Sequence, residues 1–327
     1  MVVFFRERSI ISFVFLVALC LLVHFHFFMM PAQIAVSEND GILSMLLTKY
    51  GKPLPTAVIF VLYIGLVLVQ AIRLDFVLNE MKMFHHAGFT TAMSYVLLSA
   101  FMPQWSTLTP ALIANLLVIW IFLKLSRLYN NASPKKLLFN TGLIVGLTVL
   151  CYHPTAILIP VVFFALAVVR PFRWAEWFVL LAGIITPFYF LIAILYLIGK
   201  MSVLTSHLPE LAFNLPLKNA FSWLWLNLAA MALLIVAGLY YWVPANNRMV
   251  IQLRKNWGIL LVMFIILLPV SFIFKTAGVE SAILIIVPLA AIISNLYLNP
   301  KRLLIPNLLF WLSIVIIIHN NIQLAKF

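Results

Sequence analysis

The chain has 327 residues, 65% of them apolar and only 9% charged, with a mean hydropathy of +1.14; a soluble domain carries roughly 45–50% apolar residues, so a soluble core is excluded. The net charge of +13 comes from 21 basic against 8 acidic residues, but the basic residues are scattered between apolar runs and form no stripe or arm, which argues against nucleic acid as a partner. Two cysteines, Cys20 and Cys151, lack the paired spacing of a zinc or redox site and read as packing residues.

Each helical crossing of a hydrocarbon layer needs about 20 residues, so the chain has room for about ten to twelve crossings. A membrane β-barrel would alternate apolar and polar residues. Stretches such as FVFLVALCLLV and ILLVMFIILLPV are apolar throughout, and helices are the reading that satisfies every backbone group in lipid. The expected fold is an all-α polytopic membrane helix bundle forming one transmembrane domain over 1–327.

In chain order, Arg6 and Arg8 precede an apolar run from Ile10 to Met30. That run is longer than the roughly 7–15 residues of a cleaved signal core and reads as an uncleaved anchor. Neither end carries a lipidation or retention signal. Eleven spans are predicted, at 10–30, 54–72, 86–102, 110–125, 137–152, 155–169, 177–198, 220–242, 258–274, 281–297 and 303–318. Alternating the loops puts Arg6, Arg8, Arg73, Lys82, Lys124, Arg127, Lys135, Lys136, Arg170, Arg173, Arg248, Arg254, Lys255, Lys301 and Arg302 on one side, leaving six of the 21 basic residues on the other. By the positive-inside rule this is N-in and C-out. Pro160, Pro187, Pro269 and Pro288 fall inside predicted spans, where each removes a backbone donor and kinks or breaks the helix.

Two external segments are long enough to hold a site, 31–53 and 199–219. In the first, Ile42, Leu43, Leu46 and Leu47 recur at helical spacing after Asn39, Asp40 and Gly41, which predicts a short amphipathic helix on the outer leaflet. Glu38 and Asp40 are the candidate catalytic carboxylates. Either could serve as general base toward a hydroxyl acceptor, while the plainer role is solvation and, for Asp40, capping that helix. Lys275 and Glu280 bracket the turn F-K-T-A-G-V-E. They read as a mutual pair, or as a phosphate-binding site with Lys275 as a point charge for a lipid headgroup. His153, in the turn C-Y-H-P-T, is a candidate pocket residue or a turn residue.

No metal is expected. His24 and His26 are two residues apart and face different sides of a helix, and HExxH, CxxC, GxSxG and glycine-rich phosphate loops are missing from the sequence. No cofactor is indicated. On the inner side Arg73 with Asp75, or Glu80 with a nearby cation, reads as surface pairing, and Arg170, Trp174 and Trp177 as an interfacial anchor. Asn115, deep in the fourth span, reads as an interhelical hydrogen-bonding group.

The hairpin LLFNTGLIVGLTVLCYHPTAILIPVVFFALAVVRPFR, a glycine-rich span, a polar turn ending in proline, an apolar span and a basic stop, resembles the mid-chain hairpin of C-type (GT-C) polyprenyl-phosphate-dependent glycosyltransferases. Followed by RPFRWAEWFVLLAGIITPFYF, it also resembles uncharacterised multi-pass membrane proteins of Bacteroidota, some bearing a beta-carotene monooxygenase label. A carotenoid oxygenase of the usual kind needs a soluble propeller with four histidine ligands to iron, which this sequence does not offer.

The glycosyltransferase resemblance implies a bacterial inner-membrane protein with a GT-C-like fold. It also implies a first external loop carrying the catalytic carboxylate, here Asp40 or Glu38, and a polyprenyl-phosphate-linked sugar at the outer face, held by Lys275 and His153. The sequence departs from those enzymes in lacking an adjacent acidic pair. Membrane lipid and membrane-protein partners are expected. The alternatives are a non-catalytic scaffold or subunit of an envelope machine, sensitive at the small-residue face of Gly142 and Gly146, and a small-solute transporter.

Overall fold

Long runs of Leu, Ile, Val and Phe without breakers produce helices whose ends coincide with Pro, Gly, Asn and charged residues. The computed structural model describes residues 1–37, 40–201, 211–213, 222–246, 249–274 and 277–324, and among these it is helical apart from two isolated bridges, Ile34 with Leu108 and Leu211 with Phe274. The helices are α1 (Val2–Arg6), α2 (Ile10–Val23), α3 (Ile42–Leu46), α4 (Thr56–Glu80), α5 (Thr90–Ser99), α6 (Pro110–Ser126) and α7 (Pro134–Cys151). They continue with α8 (Leu158–Val169), α9 (Trp174–Leu197), α10 (Ser222–Asn246), α11 (Ile251–Leu267), α12 (Val270–Ile273), α13 (Ile286–Leu298) and α14 (Leu304–Leu324).

Among the described residues, seven helical segments are long and apolar enough to cross a membrane: Thr56–Glu80, Pro134–Cys151, Trp174–Leu197, Leu224–Asn246, Ile251–Ile273, Val279–Leu298 and Leu304–Gln323. Three shorter apolar helices, Ile10–Val23, Pro110–Ser126 and His153–Val169, stand beside them. The chain is a multi-pass membrane protein.

Its burial pattern is what a lipid solvent demands. Ile10 and Leu197 are 84% and 83% exposed, whereas every residue of α5 and of α13 is buried. Those two central helices pack on each other, α13 also against α10 and α5 also against α4. They carry Thr90, Thr91, Ser94, Ser99, Ser294 and Asn295, so polar side chains point inward and apolar ones outward.

The predicted spans need three adjustments. The first, 10–30, is α-helical only to Val23 and then turns through His24 into a 3₁₀ turn at Phe25–Phe28. The predicted span 86–102 is the ten-residue α5, about 15 Å long and half the hydrocarbon thickness; shielded on all sides by other helices, it does not have to reach lipid at either end. Finally, the segments His153–Val169 and Val279–Leu298 start as 3₁₀ turns before α8 and α13. Pro160 and Pro288 lie in the first turns of those α-helices, where a missing N–H breaks little. Pro187 is carried inside α9, and Pro269 separates α11 from α12.

Contacts between loops sort them into two ends. At one, Phe89 N bonds Phe5 O, Arg6 reaches Tyr297 O and Pro300 O at 2.8 Å each, and Arg127 pairs with Glu80 at 2.6 Å. Also at this end, Arg170 bonds Leu128 O and Asn131 O, and Lys255 bonds Val169 O. At the other end, Leu108 N bonds Gln33 O, Trp105 Nε1 bonds Val279 O, Asn320 bonds Phe101 O and Asn321 bonds Val23 O. The first end holds the basic loops and is called the basic end below.

Two pairings differ from expectation. Asp75 is not joined to Arg73; it is buried, accepts from Asn79 at 2.9 Å and lies within electrostatic reach of Arg8 and of the first amides of α5. Asp75 of α4 thus lies near the N-terminus of α5, whose N-cap residue, Phe89, makes no side-chain cap. The Gly142–Gly146 face is filled from within the chain. A Cβ at Gly142 would come 2.4 Å from Leu180 O, and one at Gly146 2.4 Å from Ile184 O, so α7 and α9 meet backbone to backbone.

Candidate functional site

The site is built on the end opposite the basic one, under the segment 31–53. That segment is pinned at two places. Leu108 N donates to Gln33 O and Ala35 N to Leu108 O, at 3.0 and 3.2 Å. Further on, His153 N donates to Asp40 O at 2.8 Å, and Gly41 lies directly on the C-terminus of α7. A Cβ at Gly41 would stand 2.6 Å from Cys151 O, and its φ of +122° excludes ordinary side chains. Immediately after Gly41 the expected short helix forms as α3, continued by a π turn over Leu47–Gly51. Its N-cap position is Gly41 rather than Asp40, with no side-chain cap.

The polar turn after α7 provides the floor. Tyr152 is extended, Thr155 Oγ1 donates to Tyr152 O at 2.6 Å, and Pro154 starts the 3₁₀ turn leading to α8. The 3₁₀ turn Val279–Ile285, which carries Glu280, is held by the indole of Trp105 on Val279 O at 3.1 Å and by Ser271 with Ser281 at 3.1 Å. Asp40 and Glu280, from distant parts of the chain, both lie within electrostatic range of the buried Tyr152 phenol.

Of the five sequence candidates, the fold joins His153 to Asp40 through a backbone hydrogen bond and leaves Asp40 and Glu280 within electrostatic range of Tyr152. Glu38 and Lys275 lie outside the described residues. Asp40 and His153 are 3% and 4% exposed, while Glu280 is half-buried. The turn sequence C-Y-H-P-T contained Tyr152, but nothing local marked it as the meeting point, because both carboxyls arrive from other segments.

Beside this corner, the bundle interior holds two hydrogen-bonded polar strings. His24 bonds Cys20 O through Nδ1 and meets the Tyr63 hydroxyl at 3.2 Å through Nε2; Tyr63 donates to Trp105 O at 2.9 Å. Deeper, Tyr95 donates to Gln70 Oε1 at 2.6 Å, and Asn115 Nδ2 reaches Tyr95 Oη at 3.3 Å and Ile283 O at 2.9 Å. Asn115 therefore crosslinks α6 to α5 and to the turn before α13, the interhelical role its position indicated. The rings of His24 and His26 are neighbours, with centroids 6.2 Å apart and planes tilted by 52°. Among the described residues no group of three or more His, Cys, Asp or Glu is arranged to hold a metal.

A family model described as a family of unknown function (DUF6427) matches residues 33–327. The chain belongs to this family. DUF6427 membership covers the whole corner, from Asp40 through Tyr152 and His153 to Glu280. No curated protein and no solved structure matches the chain.

Proposed function

We propose that this DUF6427 protein crosses the bacterial inner membrane eleven times, N-in and C-out, in a GT-C-like arrangement, and binds a polyprenyl-phosphate-linked sugar at its outer end. The crossings are α2, α4 to α11, α13 and α14. Supporting this count, the loop contacts alternate between two ends, and the basic loops collect at one of them. The observation that carries the site is the backbone contact of His153 with Asp40 in the segment 31–53, with Asp40 and Glu280 within electrostatic range of Tyr152. In this reading Asp40, or Glu38 next to it, takes the proton of an acceptor hydroxyl. Lys275, with His153, stabilises the departing phosphate, and Glu280 orients it through Tyr152.

Asp40→Asn and Glu38→Gln, made separately and together, test it. Pools of lipid-linked sugar in cells carrying the double variant are expected to change at least tenfold, and wild-type pools would remove the catalytic assignment.

One observation favours a second reading, a non-catalytic subunit of an envelope assembly: the deep burial of Asp40 and His153, joined through their backbones. On that reading Asp40→Asn is silent, and Gly41→Ala, which drives a Cβ into Cys151 O, abolishes function by lifting the loop.

A further inference from the structure

At the basic end a cavity of about 530 Å³ is lined by Arg6, Glu7, Arg8, His86, Ala87 and Leu298. Three features give it a chemical character. First, both arginines are held in place. Arg6 donates Nε to Tyr297 O and Nη2 to Pro300 O, closing the C-terminal end of α13 and leaving the Nη1 side of its fork uncommitted. Arg8 lies with its guanidinium 4.1 Å from the ring centre of Phe76 and 5.7 Å from that of Phe89, a cation–π seat that orients it without consuming its donors.

Second, the lining carries both signs, because Glu7, between the two arginines in the sequence, lines the same cavity. A purely anionic ligand would meet that carboxylate unfavourably, whereas a ligand with one negative and one positive group would use all three charges. Third, the rim is apolar and faces outward. Phe4, Ile10 and Ile11 stand two or three residues from the arginines, Phe76 underlies the Arg8 guanidinium, and the four are 47%, 84%, 62% and 49% exposed, so the arginines adjoin apolar surface suited to acyl chains.

We infer that this cavity seats the headgroup of phosphatidylethanolamine, with its phosphate on Arg8 and Arg6, its ammonium on Glu7, and its chains along Phe4, Ile10 and Ile11. Arginine suits the phosphate because its fork matches two oxygens at once. A choline headgroup presents no N–H to Glu7, and a glycerol headgroup presents no charge to it. Such a lipid would tie the N-terminal segment, the 81–89 loop and the end of α13 together at one point.

Native mass spectrometry of the full chain, exchanged into micelles containing equal phosphatidylethanolamine, phosphatidylglycerol and phosphatidylcholine, reads this directly. Wild type is expected to retain phosphatidylethanolamine about tenfold over either competitor. Glu7→Gln should erase its advantage over phosphatidylglycerol, and Arg8→Gln should lower retention of all three about tenfold. Glu7 is exposed, so E7Q keeps the fold and remains decisive if R8Q does not.

Retention of phosphatidylglycerol equal to or above phosphatidylethanolamine by wild type, or an unchanged preference in E7Q, would overturn the assignment. A second arm adds glycerophosphoethanolamine, which has the headgroup but no chains. If it displaced the lipid at comparable concentration, the site would belong to a soluble phosphate compound and the lipid assignment would fall.

Discussion

Replacing Gly146 by alanine adds one methyl group at the point where α7 and α9 touch. The new Cβ would sit 2.4 Å from Ile184 O, 3.0 Å from Pro187 Cγ and 3.1 Å from Pro187 Cδ. An ordinary carbon–oxygen contact is nearer 3.4 Å, so α9 must retreat by about 1 Å along its contact with α7, loosening the Gly142 and Gly183 contacts in the same seam. Helix propensity alone would favour alanine by about 1 kcal/mol, and overpacking of this kind costs about 1–3 kcal/mol. The close approach is to backbone that cannot rotate away, so the upper part of that range applies. A net loss of about 1–2 kcal/mol is expected.

Gly65, in α4, is the matched control. A Cβ there has nothing within 4 Å, so Gly65→Ala should be neutral or stabilising by up to about 1 kcal/mol. Thermal denaturation of the two variants in the same detergent, followed by loss of monodisperse protein, gives the comparison. Equal melting temperatures for Gly146→Ala and Gly65→Ala would refute the backbone-to-backbone seam.

Three further outcomes follow from the same geometry. Arg170→Ala leaves Glu176 with its carboxylate 4% exposed and only Arg173 at 4.0 Å. It should destabilise by about 3–5 kcal/mol, whereas Arg127→Ala, breaking a pair exposed at 45% on each side, should shift the melting temperature negligibly. Asn115→Leu strips a donor from Ile283 O and from the Tyr95 hydroxyl inside the bundle; a loss of about 1–2 kcal/mol is expected in the same assay. A periplasmic-active reporter fused after Phe327 should be active, with the same reporter inactive when inserted at Lys82, if the chain enters N-in and crosses eleven times; activity at Lys82 would reverse the orientation.

The sequence by itself determined the solvent, the helical class and the side on which the basic loops gather. Each rests on averages over long stretches: twenty-residue apolar runs can be nothing but helices in lipid, and loop charges need no three-dimensional information. It also identified α3, because Ile42, Leu43 and Leu46 follow a local helical period, and the role of Asn115, because one amide within an apolar helix has few other options.

Tertiary structure alone decided which short segments are central. Residues 90–99 are too short for a free crossing and were read as part of a longer one, but full burial removes the need to match lipid thickness. It decided, too, that Asp75 pairs with Asn79 near the start of α5 rather than with Arg73, and that Gly142 and Gly146 receive α9 rather than another protein. The corner at Tyr152 is the same kind of case. Asp40, His153 and Glu280 were legible one at a time as polar residues in external turns. Their meeting at Tyr152 depends on how the 31–53 segment folds back over α7 and where the turn before α13 arrives. Contacts between residues more than a hundred positions apart leave no periodic trace in the chain, so only the packed bundle could reveal them.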